Sequence, residues 1–269
     1  MTTVNLQQLK LQRVPDDNDE PEVDSDGEEW VDEDALREAQ YFKEARYNIV
    51  QPNGRVLGYV NIWLVDLEAV EECGESFFMV MDEHSQEASD FAATVFTNRG
   101  EIKKRFSREG TGVCGREVTE GMTIAYLEMI RVEPEYRNKG VGGWALKALG
   151  TTRDEDLERI SFLFSLPCSL HSEFPDPPDR GPGAVDPFAA EKEVMSKRVV
   201  HFFRRAGFRR VGTTPYLCCA YGPHPSQRIP IDQDADRVED VDGPREPGTA
   251  RLFEVIAQMH GRGGGWEDE

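Results

Sequence analysis

The sequence predicts an α/β domain of the α+β kind, a mixed sheet covered by helices, on three observations. Strand-like and helix-like runs follow one another as strands, helix, strand, helix, strand, helix and a strand pair over about 45–225. The run "ISFLFSL" (160–166) is almost continuously apolar, as a strand buried on both faces must be. The run "MTIAYLEMIRV" (122–132) is rich in β-branched and aromatic residues, which suit a pleated surface.

Taken in order, "ALREAQYFKEA" (35–45) has helical spacing, and "YNIVQPNGRVLGYVNIWLV" (47–65) reads as two strands around Asn53-Gly54, the pair that favours a type I′ turn. "SFFMVMD" (76–82) is expected as a third strand. "SQEASDFAATVF" (85–96) is expected as a helix, opened by Ser85 and carrying Ala88, Phe91, Ala92 and Val95 on one face. Residues 99–121 are polar and Gly-rich, a long connection. A helix follows over 141–150, with Val141, Trp144, Ala145, Ala148 and Leu149 on one face. Residues 167–190 are crowded with Pro and Gly and read as a surface insertion. From about 191, Met195, Val199, Phe202 and Ala206 mark a second amphipathic helix that closes at Gly207. "FRRVGTTPYLCCAYG" (208–222) reads as two short strands around a turn, and "ARLFEVIAQMHG" (250–261) as a short docking helix.

Charge divides the chain. Of a net −20, half falls in residues 1–36, where twelve acids face Lys10 and Arg13. A like-charged stretch with so little to bury is expected to stay disordered, so the boundaries read 1–38 as an acidic arm, 39–225 as the domain and 226–269 as an acidic, Gly-rich tail. The arm serves solubility, or docks a basic partner, or occupies a site that takes cationic amines. The negative charge argues against a nucleic-acid partner. Five scattered cysteines without a CxxC predict neither a zinc site nor a disulfide framework, so no metal is expected. No leader-like or membrane-spanning run is read, which leaves no membrane role and a cytoplasmic or nuclear setting.

The informative stretch is "EPEYRNKGVGGWALKAL" (133–149), where a polar turn meets close glycines and then an apolar helix. Helix N-termini expose unpaired N–H groups, and glycines let that backbone approach an anion. Four readings compete. A Walker loop requires Gly-Lys-Ser/Thr, which is missing. "GVGGWA" satisfies G-x-G-x-x-A, but seven polar residues separate it from the strand end at Val132, too many for a dinucleotide turn. A ligand-free glycine turn remains the bland reading. The fourth matches Arg137-x-x-Gly140-x-Gly142.

That spacing, with "VVHFFRRAGFRRVG" (199–212) later in the chain, resembles the GNAT acyltransferase superfamily over about 122–221. The resemblance implies a mostly antiparallel twisted sheet whose central parallel strands, 122–132 and 160–166, splay apart around acetyl-CoA. It implies that the backbone of Ile130, Arg131 and Val132 pairs with the pantetheine arm, and that Arg137, Asn138, Lys139, Gly140, Val141, Gly142 and Gly143 hold the pyrophosphate. By the same resemblance the function is acetyl-CoA-dependent N-acetylation of an amine by direct attack in a ternary complex. An acidic surface suits a cationic acceptor. Glu128 is the candidate base, an N–H near Ile130 the oxyanion donor, and desolvation in the cleft would raise the Glu128 pKa. Where many family members carry a tyrosine, this chain has Phe203. Tyr216, Cys168 or Ser169 then supplies the proton, or the thiolate leaves unaided. His201 is expected to face solvent. The competing reading, drawn from the same absence, is a module that binds acyl-CoA or a protein without turnover.

Overall fold

The computed structural model describes residues 4–15, 38–108, 118, 123–169, 188–221 and 234. Seven strands, Lys10–Arg13 (β1), Phe42–Val50 (β2), Val56–Asp66 (β3), Thr123–Val132 (β4), Phe162–Ser165 (β5), Arg209–Arg210 (β6) and Leu217–Ala220 (β7), form one sheet in the order β1-β2-β3-β4-β5-β7-β6. Neighbours are antiparallel except β4 and β5, which run parallel. The mixed, mostly antiparallel sheet flanked by helices is the class the sequence predicts.

The period-2 alternation of β3 shows how the sheet serves two cores. Trp63 and Val65 enter one core with the helices Leu67–Glu72 (α1), Phe77–His84 (α2) and Gln86–Val95 (α3), and with Phe106 of Lys104–Arg108 (α4). Val60, Ile62 and Leu64 enter the other, with Val141–Leu149 (α5) and Ala189–Arg205 (α6). α3 is capped by Ser85, whose Oγ accepts from the Ala88 N–H, and Ala88, Phe91, Ala92 and Val95 are buried as their spacing predicts.

Three local expectations are corrected. Residues 76–82 form no strand: they open α2, because Ser76 Oγ caps the Met79 N–H and Phe77, Phe78, Val80 and Met81 share one helical face. A short apolar run does not distinguish the two periods. Of the helix expected over 35–45, residues 38–41 are helical, and 35–37 lie outside the described residues. From Phe42 onward the chain is strand, paired residue for residue with β3 from Phe42↔Val65 to Ile49↔Gly58. The hairpin turn is not type I′. Pro52, with its φ locked near −65°, suits the first central position of a type I turn, and Gly54 follows at φ +81°. Gly54 N–H donates to Gln51 O (2.9 Å) and Gln51 N–H to Arg55 O (2.9 Å), which makes a three-residue loop.

The sheet reaches ahead of 39–225 at its N-terminal end, and a residue past 225 packs on its edge. β1 pairs with β2, and Arg13 joins Lys43 (Nζ–Oδ1 2.8 Å) on Asp156. Asp234 lies buried against β6. The acidic stretch 16–37, most of the 167–190 insertion and the docking helix expected at 250–261 lie outside the described residues.

Candidate functional site

β4 is ten residues long, yet it pairs with β5 only at Ala125↔Leu163 and Tyr126↔Phe164. Among the described residues, the β5-side edge of β4 from Leu127 to Val132 has no strand partner, while its other edge stays paired with β3. Ile130, Arg131 and Val132 therefore border a gap, an edge of β4 left open beyond its pairing with β5. Ile130 and Val132 pack partly into the second core, which fixes that edge in place.

Glu128 stands where the β3–β4 register breaks. Asn61 pairs with Met129 and Ile62 with Leu127, so Glu128 is the extra residue of a bulge. Bulges re-aim side chains and interrupt pairing, and this one lies two residues beyond the last pair of β4 with β5. Asn61 Nδ2 donates to Glu128 Oε2 at 3.3 Å. Desolvation raises the Glu128 carboxyl above the usual carboxylate range even though much of the side chain meets solvent. The Asn61 hydrogen bond opposes the rise, Glu44 and Glu87 add to it, and His84 opposes it.

The glycine turn is tied to β4. A 3₁₀ turn, Pro134–Tyr136, follows the strand, and Arg137 Nε returns to donate to Val132 O at 2.9 Å. Lys139 Nζ donates to Glu135 O at 2.6 Å. Both cations thus brace the turn's backbone, and the Val132 carbonyl is engaged within the protein. Asn138 (φ +60°) and Gly140 (φ +82°) are left-handed, and Gly140 caps α5 with no side-chain hydrogen bond, so the first-turn N–H groups of α5 keep the orphan character of a helix N-terminus. The glycines divide their work. A Cβ on Gly142 would come within 3.0 Å of Phe202 Cζ and 3.7 Å of Val132 Cγ2, so Gly142 lets α5 pack closely on α6 and β4. A Cβ on Gly143 would meet nothing within 4 Å.

On the α2–α3 face, a polar constellation adjoins Glu128 that the sequence reading missed. Trp63 lies between Glu44 and Tyr126 across three strands. Its ring stacks on Tyr126 (centroids 4.8 Å, 14°) and meets His84 edge-on (4.8 Å), while His84 Nε2 lies 3.6 Å from Glu44 Oε1. Tyr126 donates its hydroxyl to Glu87 Oε1 at 2.5 Å; burial, then the Glu87 charge, holds that phenol protonated far above its ordinary value. These contacts join β2, β3, β4, α2 and α3, and no spacing within one element announces them.

Tyr216 is placed in the first core, 3% exposed, with its ring 5.2 Å from Phe91. Burial, then Asp90 and Glu87, raises its phenol well above the ordinary range, which makes it a reluctant acid. Phe203 is buried between Phe202 and Phe208 (5.4 and 5.0 Å) and carries no proton. His201 is exposed, as expected. Cys168 is exposed as a residue, yet burial at its sulfur, then Glu87, pushes its thiol up. Among the described residues no His, Cys, Asp and Glu side chains group to hold a metal ion, and no helix is long and apolar enough to cross a membrane. No protein-family model, curated protein or solved structure matches this chain, so the functional reading rests on the geometry of the gap, the bulge and the turn.

Proposed function

We propose that the protein is a GNAT-type N-acetyltransferase that moves an acetyl group from acetyl-CoA to an amine by direct attack. The observation that carries the reading is the open edge of β4 past its last pair with β5, with a desolvated bulge carboxylate at its start and a glycine turn and helix N-terminus after its end. The open edge at Ile130–Val132 suits an extended amide chain laid alongside it, and the amides of Arg137–Gly143 suit a pyrophosphate. Acetyl-CoA supplies the activated acetyl thioester. Glu128, with its raised pKa, takes the proton from the incoming ammonium. The freed amine nitrogen then forms the C–N bond, the C–S bond breaks with its electron pair leaving on sulfur, and the surplus proton on the new amide nitrogen passes to that thiolate or to water. An unpaired N–H on the open edge of β4 near Ile130 serves the oxyanion. With Phe203 buried and Tyr216 held protonated, the sulfur leaves as thiolate without a tyrosine donor.

The test is calorimetric titration of acetyl-CoA into the wild type and Gly143→Glu. An acid in the first turn suits the helix, its Cβ meets no neighbour, and its charge opposes a pyrophosphate. Saturable binding to the wild type, weakened at least tenfold in Gly143→Glu with an unchanged circular-dichroism melt, supports the cradle. No binding to the wild type overturns it. Gly142→Glu is the poorer variant, since its side chain would strike Phe202 whether or not a ligand binds there.

A further inference from the structure

β5 stops following β4 after two residue pairs, Ala125↔Leu163 and Tyr126↔Phe164. In that register Leu127 would next meet Ser165, and Glu128 would meet Leu166. Ser165 still pairs with Leu217 of β7, so the chain leaves β4 without leaving the sheet. Backbone N–H and C=O groups favour pairing, so a departure this early needs a competing hold on the chain. Resting on the acetyl-transfer reading, we propose that Tyr126 and Glu87 are positioning residues: together they tie the chain after β5 to α3, which keeps the edge of β4 beyond Tyr126 open for the acyl end of acetyl-CoA.

Tyr126 is the last β4 residue paired with β5, and its side chain is buried in the core beneath α3. Its hydroxyl donates to Glu87 Oε1 at 2.5 Å, and the Leu166 N–H donates to the same hydroxyl oxygen. One phenol thus joins α3 to the first residue beyond β5, and a backbone donor that could extend the strand ladder is engaged elsewhere. The next residues follow the same course. Leu166 packs partly against the first core, Pro167 is buried, and the Cys168 thiol feels the Glu87 charge. Pro167 has no N–H to offer β4. The rings hold the same junction. Phe91, four residues after Glu87 and so on the same side of α3, lies 4.7 Å from Tyr126 and 5.3 Å from Phe164. A single face of α3 therefore meets the last residue pair on both strands, while Trp63 stacks on Tyr126 (4.8 Å) and fixes the plane of its ring.

The test uses the full chain carrying Tyr126→Phe and, independently, Glu87→Ala. Each removes one side of the hydroxyl bond and leaves the ring contacts in place. Glu87 is exposed, so water can serve it once the phenol is gone. Backbone amide exchange is read without ligand, and acetyl-CoA is titrated calorimetrically. We expect the Leu127–Met129 amides to exchange more slowly than in the wild type, as β5 pairs onward against them. Acetyl-CoA affinity should fall about fivefold or more, the scale of one lost hydrogen bond. Glu87→Gln keeps an acceptor oxygen for the hydroxyl and should recover most of that affinity. A merely structural loss has the opposite sign, since it speeds exchange across the sheet. Wild-type affinity in both variants, or unchanged or faster exchange at Leu127–Met129, overturns the inference and leaves acetyl transfer standing. A wild type that does not bind acetyl-CoA overturns the underlying reading and this inference with it.

Discussion

Glu128 brings together three local facts: a bulge, a desolvated carboxyl and a single amide that steadies its charge. As a base it works ionised, and its pKa is raised, so kcat/KM should climb with pH along a limb above the usual carboxylate range. Asn61 lowers that pKa by binding the charged form, so Asn61→Ala should move the limb to higher pH, and Glu128→Gln should abolish it. A pH–rate profile of the three proteins decides this; an unmoved limb in Asn61→Ala would remove Glu128 from the chemistry. The linkage sign gives a second check. A carboxyl with a raised folded-state pKa binds its proton more tightly when folded, so ionising it costs stability as pH rises through that range. Glu128→Gln should therefore keep or raise the urea midpoint at neutral pH, which separates a lost base from a lost fold. Glu128 was legible in the sequence because a lone acid in an apolar strand stands out. Tyr126, Glu87 and Trp63 were not, because their contacts join segments distant in sequence.

β3 and β4 set the site's geometry, and the tightest constraint between them is steric. Gly58 pairs with Val132, and a Cβ there would come 2.1 Å from Arg131 O and 2.9 Å from Val132 Cα, both backbone atoms that cannot swing away. Gly58→Ala should cost about 1–3 kcal/mol as overpacking. Because the displaced backbone belongs to the open edge at Arg131–Val132, it should also weaken acetyl-CoA binding. Chemical denaturation alongside titration tests this, and a variant with wild-type stability and affinity would show that β4 yields freely. Strand β4 and helices α3 and α5 were legible because each combines a strong period with a suitable start or end. By sequence α2 reads as a strand because "FFMVM" is apolar in either period, and the cap at Ser76 together with packing against Trp63 and Phe91's core decides for helix. β2 shows the opposite override, since helix-forming residues at its start are held in nine registered pairs with β3.

At the scale of the molecule, the residues ahead of the acidic stretch belong to the sheet. Because Lys10–Arg13 is an edge strand, residues 16–37 connect β1 to the segment before β2. Composition reported the charge of this region but not the four-residue strand ahead of it, which is too short and too polar to declare itself. Deleting residues 1–36 should therefore lower stability by removing β1 and the Arg13–Asp156 pair, whereas replacing the acids between Asp16 and Asp34 by their amides should spare both; urea midpoints distinguish the two. The C-terminal boundary behaves similarly. Asp234, with a side chain 0% exposed, accepts from the Arg210 N–H of edge strand β6 (2.7 Å) and pairs with Arg204 Nε of α6 (2.8 Å). One residue beyond the expected end of the domain thus joins the edge of the sheet to the helix that packs against Gly142. Removing one member of a buried ion pair leaves the other charge poorly compensated, at about 3 kcal/mol or more. Asp234→Ala, and truncation after residue 225, should each lower the unfolding free energy by about that amount. Since α6 backs the glycine turn through Phe202, acetyl-CoA affinity should fall in step. Stability retained after truncation would mean that the domain closes at β7 and that Asp234 merely rests on it.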